Sequence, residues 1–393
     1  MRLALIYTTF PKRPETFLQR EAVALIGQGV DVEFFSIFGG RVSHFHGKPV
    51  HRLGIAGVLR AILKIPVLIF TKPSIFKLFI PPQKTTFINY CENLLGMAAG
   101  AVWAEKFKKY DWVHAQWGAA PAMAAYAAKR FNGLRYSMGL HAYDLFEGGG
   151  DGWLKLKVPA AEFVASSNAQ AREEAKRRFN PKTGYLIRRG LPLNAMPTIG
   201  EKRFTPPLKI ISFGRLLPKK GLHHFIEIMA ELEKSQIDFD AEIIGNGPLA
   251  KKLQRQIEKL KLSRRVKLTG WLENSIILQK ARAANLFLFT GCVAKNGDRD
   301  GFPNVIAEAF ACGCAVIARD AGGVAEGVID GQTGILMKTT DAGVWRETIE
   351  ALMKDPPRME KLRRGAELWV RENFDAVKNA MKLMEIIEAA ARH

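Results

Sequence analysis

Short apolar runs with strand character alternate with helical stretches along most of the chain, and this alternation constrains the fold more than any other feature. Such a rhythm is typical of βαβ units, in which helices cover both faces of a parallel sheet. In the first half we predict strands at residues 2–7, 30–37, 111–115, 135–139, 162–165 and 185–187. In the second half we predict strands at residues 208–213, 241–244, 266–268, 286–289, 315–318 and 334–337. The sequence therefore predicts an α/β protein with two doubly wound, Rossmann-like domains.

Chain length and proline distribution together indicate a domain boundary near the middle. A chain of 393 residues is too long for one ordinary hydrophobic core. Residues 189–207 hold four prolines, which favours an interdomain linker. We predict four parts, namely a first domain, a linker, a second domain and a terminal helix, at residues 1–190, 191–207, 208–374 and 375–393.

Basic residues outnumber acidic residues by 58 to 38, and the excess lies mainly in the first half. Residues 1–200 carry 27 Lys and Arg against 13 Asp and Glu, whereas residues 201–393 carry 31 against 25. No acidic residue occurs between Glu33 and Glu92. This field attracts polyanions, such as phosphorylated substrates, nucleic acid or an anionic membrane surface.

Features tied to the cellular compartment favour the cytoplasm. The four cysteines show neither a disulfide framework nor zinc-site spacing. Residues 1–7 have the pattern of a strand rather than of a signal peptide. No apolar run is expected to reach the roughly 18–20 residues of a spanning helix.

Residues 296–334 hold the densest group of chemically informative side chains. Asp300 and Glu308 stand eight positions apart, joined by the turn Gly301-Phe302-Pro303-Asn304, which leads into an apolar helix. Pro303 and Asn304 suit a helix start, where free N–H groups favour an anion. Carboxylates only accept hydrogen bonds, so acids beside an anion site indicate a ligand with both phosphate and hydroxyl groups. A sugar nucleotide is such a ligand.

A second candidate site follows the predicted strand at residues 208–213, where Arg215 and Lys220 precede the next helix. Ligands of open α/β sheets gather at the carboxyl ends of strands. These two bases are therefore candidates for binding a diphosphate, and the alternative is a loop with solvated bases. We expect the neighbouring Lys219 to be the solvated base. Gly245, after the next strand, fits a close approach to the ligand or an ordinary tight turn.

These motifs resemble the retaining glycosyltransferases of family 4, which have the GT-B fold. The family pattern is two acids separated by seven residues, opening on Glu-Gly-Phe-Pro and ending near Glu-Ala-Met-Ala-Cys-Gly. The first acid here is the shorter Asp300, and the ending reads Glu308-Ala-Phe-Ala-Cys-Gly. The resemblance implies two Rossmann-like domains facing each other across a cleft, with the acceptor domain first and the donor domain second. It also implies that the last helix crosses back to the first domain.

The resemblance implies a role for each matching residue. Glu308 would bind the ribose hydroxyls, Asp300 the donor sugar, and Arg215 with Lys220 the diphosphate. Trp271, after the strand at residues 266–268, would meet the nucleobase, although a core position is equally open from the residues alone. His141, in the sequence Gly-Leu-His-Ala-Tyr-Asp ending at Asp144, would face the donor sugar. The loop at residues 7–17 resembles an acceptor-contacting loop.

The function that the resemblance implies is sugar transfer in bacterial surface polysaccharide or lipopolysaccharide assembly. The donor would be a UDP- or GDP-linked sugar, the acceptor a glycan or lipid-linked glycan, and no metal or other cofactor is expected. Two alternatives stay open: a GT-B sugar-nucleotide enzyme of other chemistry, such as an epimerase, and a non-enzymatic protein that binds nucleic acid or another polyanion. We expect no nucleic-acid partner because no helix-turn-helix, RNP or zinc module occurs.

Residues 54–82 interrupt the strand–helix rhythm with apolar clusters separated by bases. Pro66 and Pro73 are expected to split the segment into pieces too short to span a bilayer. One interpretation is a pair of core helices with snorkelling bases. The other, favoured by the lack of acidic neighbours, is an interfacial segment on the cytoplasmic face of an anionic membrane, which would make the protein a peripheral membrane protein.

Overall fold

The computed structural model describes residues 1–12, 15–40, 42–202 and 206–392, and these form two compact units. The N-terminal unit comprises Met1–Gly190 with Ala376–His393, and the C-terminal unit comprises Leu191–Asp375. The predicted linker at residues 191–207 does not stand apart. Leu191, Leu193 and Met196 are buried in the core of the C-terminal unit, and so this segment belongs to that unit, with residues 203–205 lying outside the described part.

The N-terminal unit is built on an eight-stranded sheet covered by helices. Its strands are β1 (Arg2–Tyr7), β2 (Asp31–Ser36), β3 (His44–Phe45), β4 (Lys48–Arg52), β5 (Trp112–Ala115), β6 (Tyr136–Leu140), β7 (Val164–Ser166) and β8 (Gly184–Leu186). Its helices are α1 (Thr16–Gly27), α2 (Gly54–Thr71), α3 (Phe87–Phe107), α4 (Ala120–Asn132), α5 (Ala142–Phe146), α6 (Leu154–Ala160) and α7 (Ala169–Phe179). The strand order is β3-β4-β2-β1-β5-β6-β7-β8, and every pair is parallel except β3 with β4.

The C-terminal unit has a six-stranded, wholly parallel sheet. Its strands are β9 (Leu208–Phe213), β10 (Phe239–Ile244), β11 (Val266–Gly270), β12 (Leu286–Phe289), β13 (Ala315–Arg319) and β14 (Ile335–Met337). Its helices are α8 (Leu222–Lys234), α9 (Ala250–Lys259), α10 (Asn274–Ala283), α11 (Asn304–Ala311), α12 (Ala342–Met353) and α13 (Pro356–Asn373). The order β11-β10-β9-β12-β13-β14 is the doubly wound order of a Rossmann domain. The final helix, α14 (Ala376–Arg392), belongs to the N-terminal unit and packs on α1.

The predicted α/β fold with two Rossmann-like domains is confirmed, and the reason lies in burial. Central strands such as β1 and β12 are buried along almost their whole length because helices cover both faces of each sheet. Such strands are continuous apolar runs, which is what made them visible in the sequence. The short antiparallel pair β3–β4 was not predicted, since His44 and Lys48 are polar and the pair lies at a sheet edge.

Helix α2 corrects two expectations for residues 54–82. It is continuous although Pro66 lies inside it, and Pro66 and Ile62, four residues earlier, are both exposed. The carbonyl freed by the missing proline N–H therefore lies on the outer face. By length and composition α2 could cross a membrane, and it is the one such helix in the described parts of the chain. Only 11% of it is buried, so a core position is wrong for this helix.

Glu33 on β2 ties the edge of the N-terminal sheet to its centre. Its carboxylate accepts hydrogen bonds from Arg2 Nη2 at 2.6 Å, Tyr110 Oη at 2.6 Å and His51 Nε2 at 2.5 Å. His51 Nδ1 in turn lies 2.8 Å from Lys106 Nζ. Burial alone would raise the pKa of Glu33, but the hydrogen bonds outweigh it and lower that pKa to about 2.

We expect Glu33→Gln to lower the melting temperature near pH 7 by roughly 5–10 °C, because the charged acceptor of three hydrogen bonds is lost. The folded-state pKa of Glu33 lies below its unfolded value, so this stabilisation is complete above about pH 5 and fades as pH falls towards 2. The gap between wild type and Glu33→Gln should therefore close over that range. The exposed Glu105→Gln is the matched control. A gap independent of pH would contradict the ionised network.

Candidate active site

In the C-terminal sheet, β9 pairs with β10 on one side and with β12 on the other. From β9 the strands β10 and β11 follow on one side, and β12, β13 and β14 follow on the other. Open α/β sheets bind ligands at this point, where the strand order reverses. The loop after β9 holds Arg215, Lys219 and Lys220, and the loop after β12 holds Asp298 and Asp300. The candidate site is thus built on two loops that leave adjacent strands at one edge.

Ion pairs join these two loops. Lys220 Nζ lies 2.7 Å from Asp300 Oδ2, and Lys219 Nζ lies 2.9 Å from Asp298 Oδ1 and 3.7 Å from Asp300 Oδ1. All four side chains are between 14% and 16% exposed, so they are reachable from solvent but not loosely solvated. The expectation that Lys219 is the solvated base is therefore wrong.

Arg215 differs from the two lysines because it is exposed. Among the described residues its guanidinium has no hydrogen-bond or ion-pair partner, whereas Lys220 also lies 5.4 Å from the centre of the Phe289 ring. A free guanidinium presents a planar fork of donors suited to phosphate oxygens. The site thus combines one free base with two bases that are neutralised by nearby carboxylates.

Two glycines let the loops approach each other closely. Gly221 has φ +58°, and a Cβ there would lie 1.9 Å from the Thr290 carbonyl oxygen. Gly245 has φ +151°, and a Cβ there would lie 1.8 Å from the Gly214 carbonyl oxygen. No other residue type fits either position without moving the loops. Gly245 thus supports the ligand-facing loop through packing, and its backbone N–H is already donated to the Gly270 carbonyl at 2.8 Å.

The turn before α11 combines a helix start with a buried acid. Pro303 caps α11, which begins at Asn304, so the first N–H groups of the helix have no intrahelical partner. Glu308, one turn further on, is 6% exposed. Gly301 and Asn304 are half-buried. A helix N-terminus with a buried carboxylate one turn away suits a ligand that carries phosphate and hydroxyl groups together.

The side chain of Phe302, in the turn before α11, is packed inside the C-terminal unit and does not face a ligand. Its ring is 7% exposed and packs against Trp369 at 5.1 Å and Phe374 at 5.3 Å, measured between ring centres. Only its backbone is left for a ligand. Trp271, in contrast, is 55% exposed after Gly270, which excludes the core position and leaves its ring open to a planar partner.

In the N-terminal unit, His141 follows β6 and is 8% exposed. Its Nδ1 lies 3.0 Å from Ser167 Oγ, and its Nε2 lies 2.8 Å from Arg189 Nη2 and 3.2 Å from the Gln116 carbonyl oxygen. Burial and then the Arg189 charge lower the pKa of His141 well below its ordinary value. Both ring nitrogens are therefore occupied, and direct donation from the ring to a sugar hydroxyl does not fit this arrangement.

Asp144 fixes the backbone at His141. Its Oδ2 accepts the His141 backbone N–H at 2.9 Å at the start of α5. Burial raises the pKa of Asp144 to about 7. Asp144 thus orders the loop between β6 and α5.

Sequence reasoning missed several residues at both sites. The roles of Lys219 and Asp298 could have been inferred from the sequence, because each stands one or two positions from a predicted site residue, Lys220 or Asp300. Glu21, Gln116 and Arg189 had none, since they are brought together across 73 to 168 positions of sequence. Among the described residues, no group of three or more His, Cys, Asp or Glu side chains is arranged to hold a metal ion.

In sequence, this chain is similar to proteins named as glycosyltransferases. Residues 200–369 match the family model described as "Glycosyl transferases group 1". The chain is 26% identical over 380 residues to WcaL of Salmonella typhimurium, named as a colanic acid biosynthesis glycosyltransferase, covering 87% of this chain and 88% of that protein. It is 30% identical over 185 residues to the amylovoran biosynthesis glycosyltransferase AmsK of Erwinia amylovora, covering 47% of this chain and 46% of that protein.

Among solved structures, Anabaena HepE in complex with UDP is similar, with a TM-score of 0.73 and 18% identity, covering 99% of this chain and 100% of that chain. The fold is therefore GT-B, with two Rossmann-like parallel-sheet domains. Residues 200–369 thus resemble group 1 glycosyl transferases, and the relatives named above are glycosyltransferases of polysaccharide biosynthesis.

Proposed function

We propose that this chain is a retaining, metal-independent glycosyltransferase of family 4. It would move a sugar from a UDP- or GDP-linked donor to a glycan or lipid-linked acceptor in bacterial surface polysaccharide assembly, including lipopolysaccharide. The observation that carries this proposal is the group of bases after β9, which lies at the reversal point of a Rossmann sheet. Relatives named for colanic acid and amylovoran biosynthesis and a neighbour solved with UDP support it.

Each donor group has a candidate partner in the C-terminal unit. The exposed Arg215 and the nearby Lys220 would bind the diphosphate, and the N–H groups at the start of α11 would donate hydrogen bonds to further phosphate oxygens. Glu308 would accept from the ribose hydroxyls, because a buried carboxylate is a strong acceptor. Trp271, with its exposed ring, would stack on the base.

Asp300 would bind the donor sugar while holding Lys220 in place. Its two carboxylate oxygens face Lys220 and Lys219. A bound diphosphate would compete for the lysines and leave Asp300 free to accept from sugar hydroxyls. Asp300 is shorter than the Glu of the family pattern. The position of its loop would compensate for this difference by holding the carboxylate close to the donor sugar.

Retention requires no protein nucleophile in this proposal. The acceptor hydroxyl would attack the anomeric carbon from the face that the phosphate leaves, and the departing phosphate oxygen would take its proton. One C–O bond forms as the C–O bond to phosphate breaks. The protein orients the reactants, and Arg215 and Lys220 stabilise the charge that develops on the phosphate. These fixed cations would supply the charge stabilisation that a metal ion provides elsewhere.

The surface of α2 and the following residues supports a peripheral position on a membrane. Gly57 and Ala61 of α2 are buried, and α2 packs on α3, so the helix lies along the N-terminal unit. The opposite side of α2 exposes an apolar face, and the residues after α2 expose further apolar side chains, together Ile55, Leu59, Ile62, Leu63, Val67, Phe70, Phe76, Ile80, Phe87 and Ile88. Each of these side chains is at least 57% exposed, and Phe70 reaches 89%. A face of this size marks an interaction site.

Charge selects an anionic lipid surface as the partner of this apolar face. The bases within residues 54–82 are exposed, namely Arg60, Lys64, Lys72 and Lys77. The sequence holds no acidic residue from residue 34 to residue 91. Each base near an anionic surface contributes about 1 kcal/mol, in addition to the burial of apolar side chains. We therefore propose that the protein works on the cytoplasmic face of the cell membrane, beside lipid-linked acceptors.

We predict that Arg215→Ala and Lys220→Ala each weaken binding of UDP or GDP by about 1–3 kcal/mol, because each removes a charged donor to the diphosphate. Calorimetry on the full chain measures this affinity. Lys251→Ala, which removes an exposed base on α9, is the matched control and should bind as the wild type does. If both site variants keep wild-type affinity for every nucleoside diphosphate that the protein binds, the diphosphate assignment fails.

For the membrane, we predict salt-sensitive flotation with vesicles containing phosphatidylglycerol and little flotation with neutral vesicles. The quadruple variant with Gln at positions 60, 64, 72 and 77 should lose flotation and still hydrolyse the sugar nucleotide. A control with Gln at positions 251, 255, 259 and 267 removes four exposed bases from the C-terminal unit and should float as the wild type does. Equal flotation of the two quadruple variants would show that the apolar face does not bind anionic lipid.

A further inference from the structure

A continuous set of polar contacts runs from a buried acid to a half-buried hydroxyl at the carboxyl edge of the N-terminal sheet. Glu21 Oε2 accepts from Arg189 Nη1 at 2.6 Å, and Arg189 Nη2 lies 2.8 Å from His141 Nε2. His141 Nδ1 lies 3.0 Å from Ser167 Oγ. We call Glu21, Arg189, His141 and Ser167 the polar relay. Its first three members are each at most 8% exposed, whereas Ser167 is half-buried.

The identity of Arg189 fixes the position of the proton on His141. A guanidinium only donates and does not lose its proton in proteins. A hydrogen on His141 Nε2 would therefore face an Arg189 hydrogen at 2.8 Å, so Nε2 accepts and Nδ1 carries the proton. The longer contact of Nε2 with the Gln116 carbonyl oxygen, at 3.2 Å, would favour the opposite tautomer and defines the competing state.

Gln116 and Glu21 hold Arg189 in this orientation. Arg189 Nη1 also donates to Gln116 Oε1 at 3.1 Å, while Gln116 Nε2 donates to Glu21 Oε1 at 2.5 Å. Both oxygens of the Glu21 carboxylate are thus occupied, and the Arg189–Glu21 pair is buried. Breaking one partner of such a pair leaves an uncompensated charge, so the arrangement is stiff. Tight contacts of this kind determine orientation more than stability.

Several charged and titratable groups surround the His141 ring. Arg189 contacts Nε2, Asp144 binds the backbone N–H, and His114 lies near enough to act on the ring electrostatically. Burial and then the Arg189 charge also lower the pKa of His114, to about 3, so this neighbour is neutral at physiological pH. Both Arg189 and burial oppose a positive charge on His141, which is therefore a neutral imidazole with one fixed donor.

We propose that the polar relay turns the Ser167 hydroxyl into an outward-facing donor that binds a sugar hydroxyl of a substrate. His141 Nδ1–H occupies a lone pair of Ser167 Oγ, which leaves the serine hydrogen without an acceptor among the described residues. Each donor in the series polarises the next, so the last one is strengthened. Ser167 is then the substrate-contacting residue, and His141, Arg189 and Glu21 are positioning residues. This inference rests on the proposed function for its substrate.

The tautomer of His141 tests the relay without any substrate. In full-length protein labelled with ¹⁵N-histidine, long-range ¹H–¹⁵N spectra should show His141 protonated at Nδ1, with the same tautomer from pH 5 to pH 8 even as the neighbouring Asp144 titrates. The signal is assigned by its loss in His141→Asn. In the charge-balanced double variant Glu21→Gln with Arg189→Met, we expect the proton to move to Nε2, where it can be donated to the Gln116 carbonyl. Arg172→Met, which removes an exposed arginine, should leave the spectrum unchanged.

Two results of this experiment would overturn the relay. One is a wild-type protein with the proton on Nε2, and the other is an Nδ1 tautomer that survives in the folded double variant. Because no sugar nucleotide is present, neither result depends on whether the protein is a glycosyltransferase.

Activity then tests the contact of Ser167 with the substrate. Ser167→Ala should lower kcat/KM for transfer about tenfold, the effect of one hydrogen bond of about 1.4 kcal/mol, and leave nucleoside diphosphate affinity unchanged. Ser167→Thr keeps the hydroxyl and should restore most of the rate. Ser166→Ala is the matched control, since the buried Ser166 hydroxyl has no hydrogen-bond partner among the described residues. Equal rates for Ser167→Ala and Ser166→Ala would overturn the substrate contact even if transfer itself is confirmed.

Discussion

The ion pairs between Lys219–Lys220 and Asp298–Asp300 are the interaction on which the candidate donor site depends. They join the loops after β9 and β12, two strands that lie side by side at the reversal point of the sheet. A loop with two adjacent lysines would otherwise be held open by repulsion between like charges. In the proposed function, a diphosphate would displace the carboxylates from these lysines. Binding would then be an exchange of anions, which loses less solvation than uncovering free bases.

In the N-terminal unit, a positive charge is also balanced by a nearby carboxylate. Its reversal point lies between β1 and β5, and Gln116 directly follows β5. There the positive charge of Arg189 is balanced by Glu21 and directed onto His141, rather than left free for a phosphate. Four other bases of this unit, Arg60, Lys64, Lys72 and Lys77, are exposed within residues 54–82. The N-terminal unit thus has two distinct features, a buried polar site at the edge of its sheet and a basic apolar surface at α2.

Apart from the edge pair β3–β4, the strands of both sheets were visible in the sequence because parallel strands buried on both faces are continuous apolar runs. The same logic identified Arg215, Asp300 and Glu308 as residues that follow strands or start a helix. It could not find the partner of Lys219, since ion pairs across 79 positions leave no local pattern. Pro66 was misleading because a proline on the outer face of a helix interrupts one hydrogen bond without ending the helix.

Turnover of sugar nucleotides tests the central claim most directly. The full-length protein is mixed with a panel of UDP- and GDP-linked sugars, ³¹P spectra follow the nucleotide, and ¹H spectra follow the anomeric proton of the sugar. The account predicts that a donor with one of the two bases is converted to nucleoside diphosphate with the anomeric configuration retained in the first product, and that Glu308→Gln slows this conversion. An epimerised donor with an intact diphosphate linkage, an inverted product, or no turnover of any donor would contradict it.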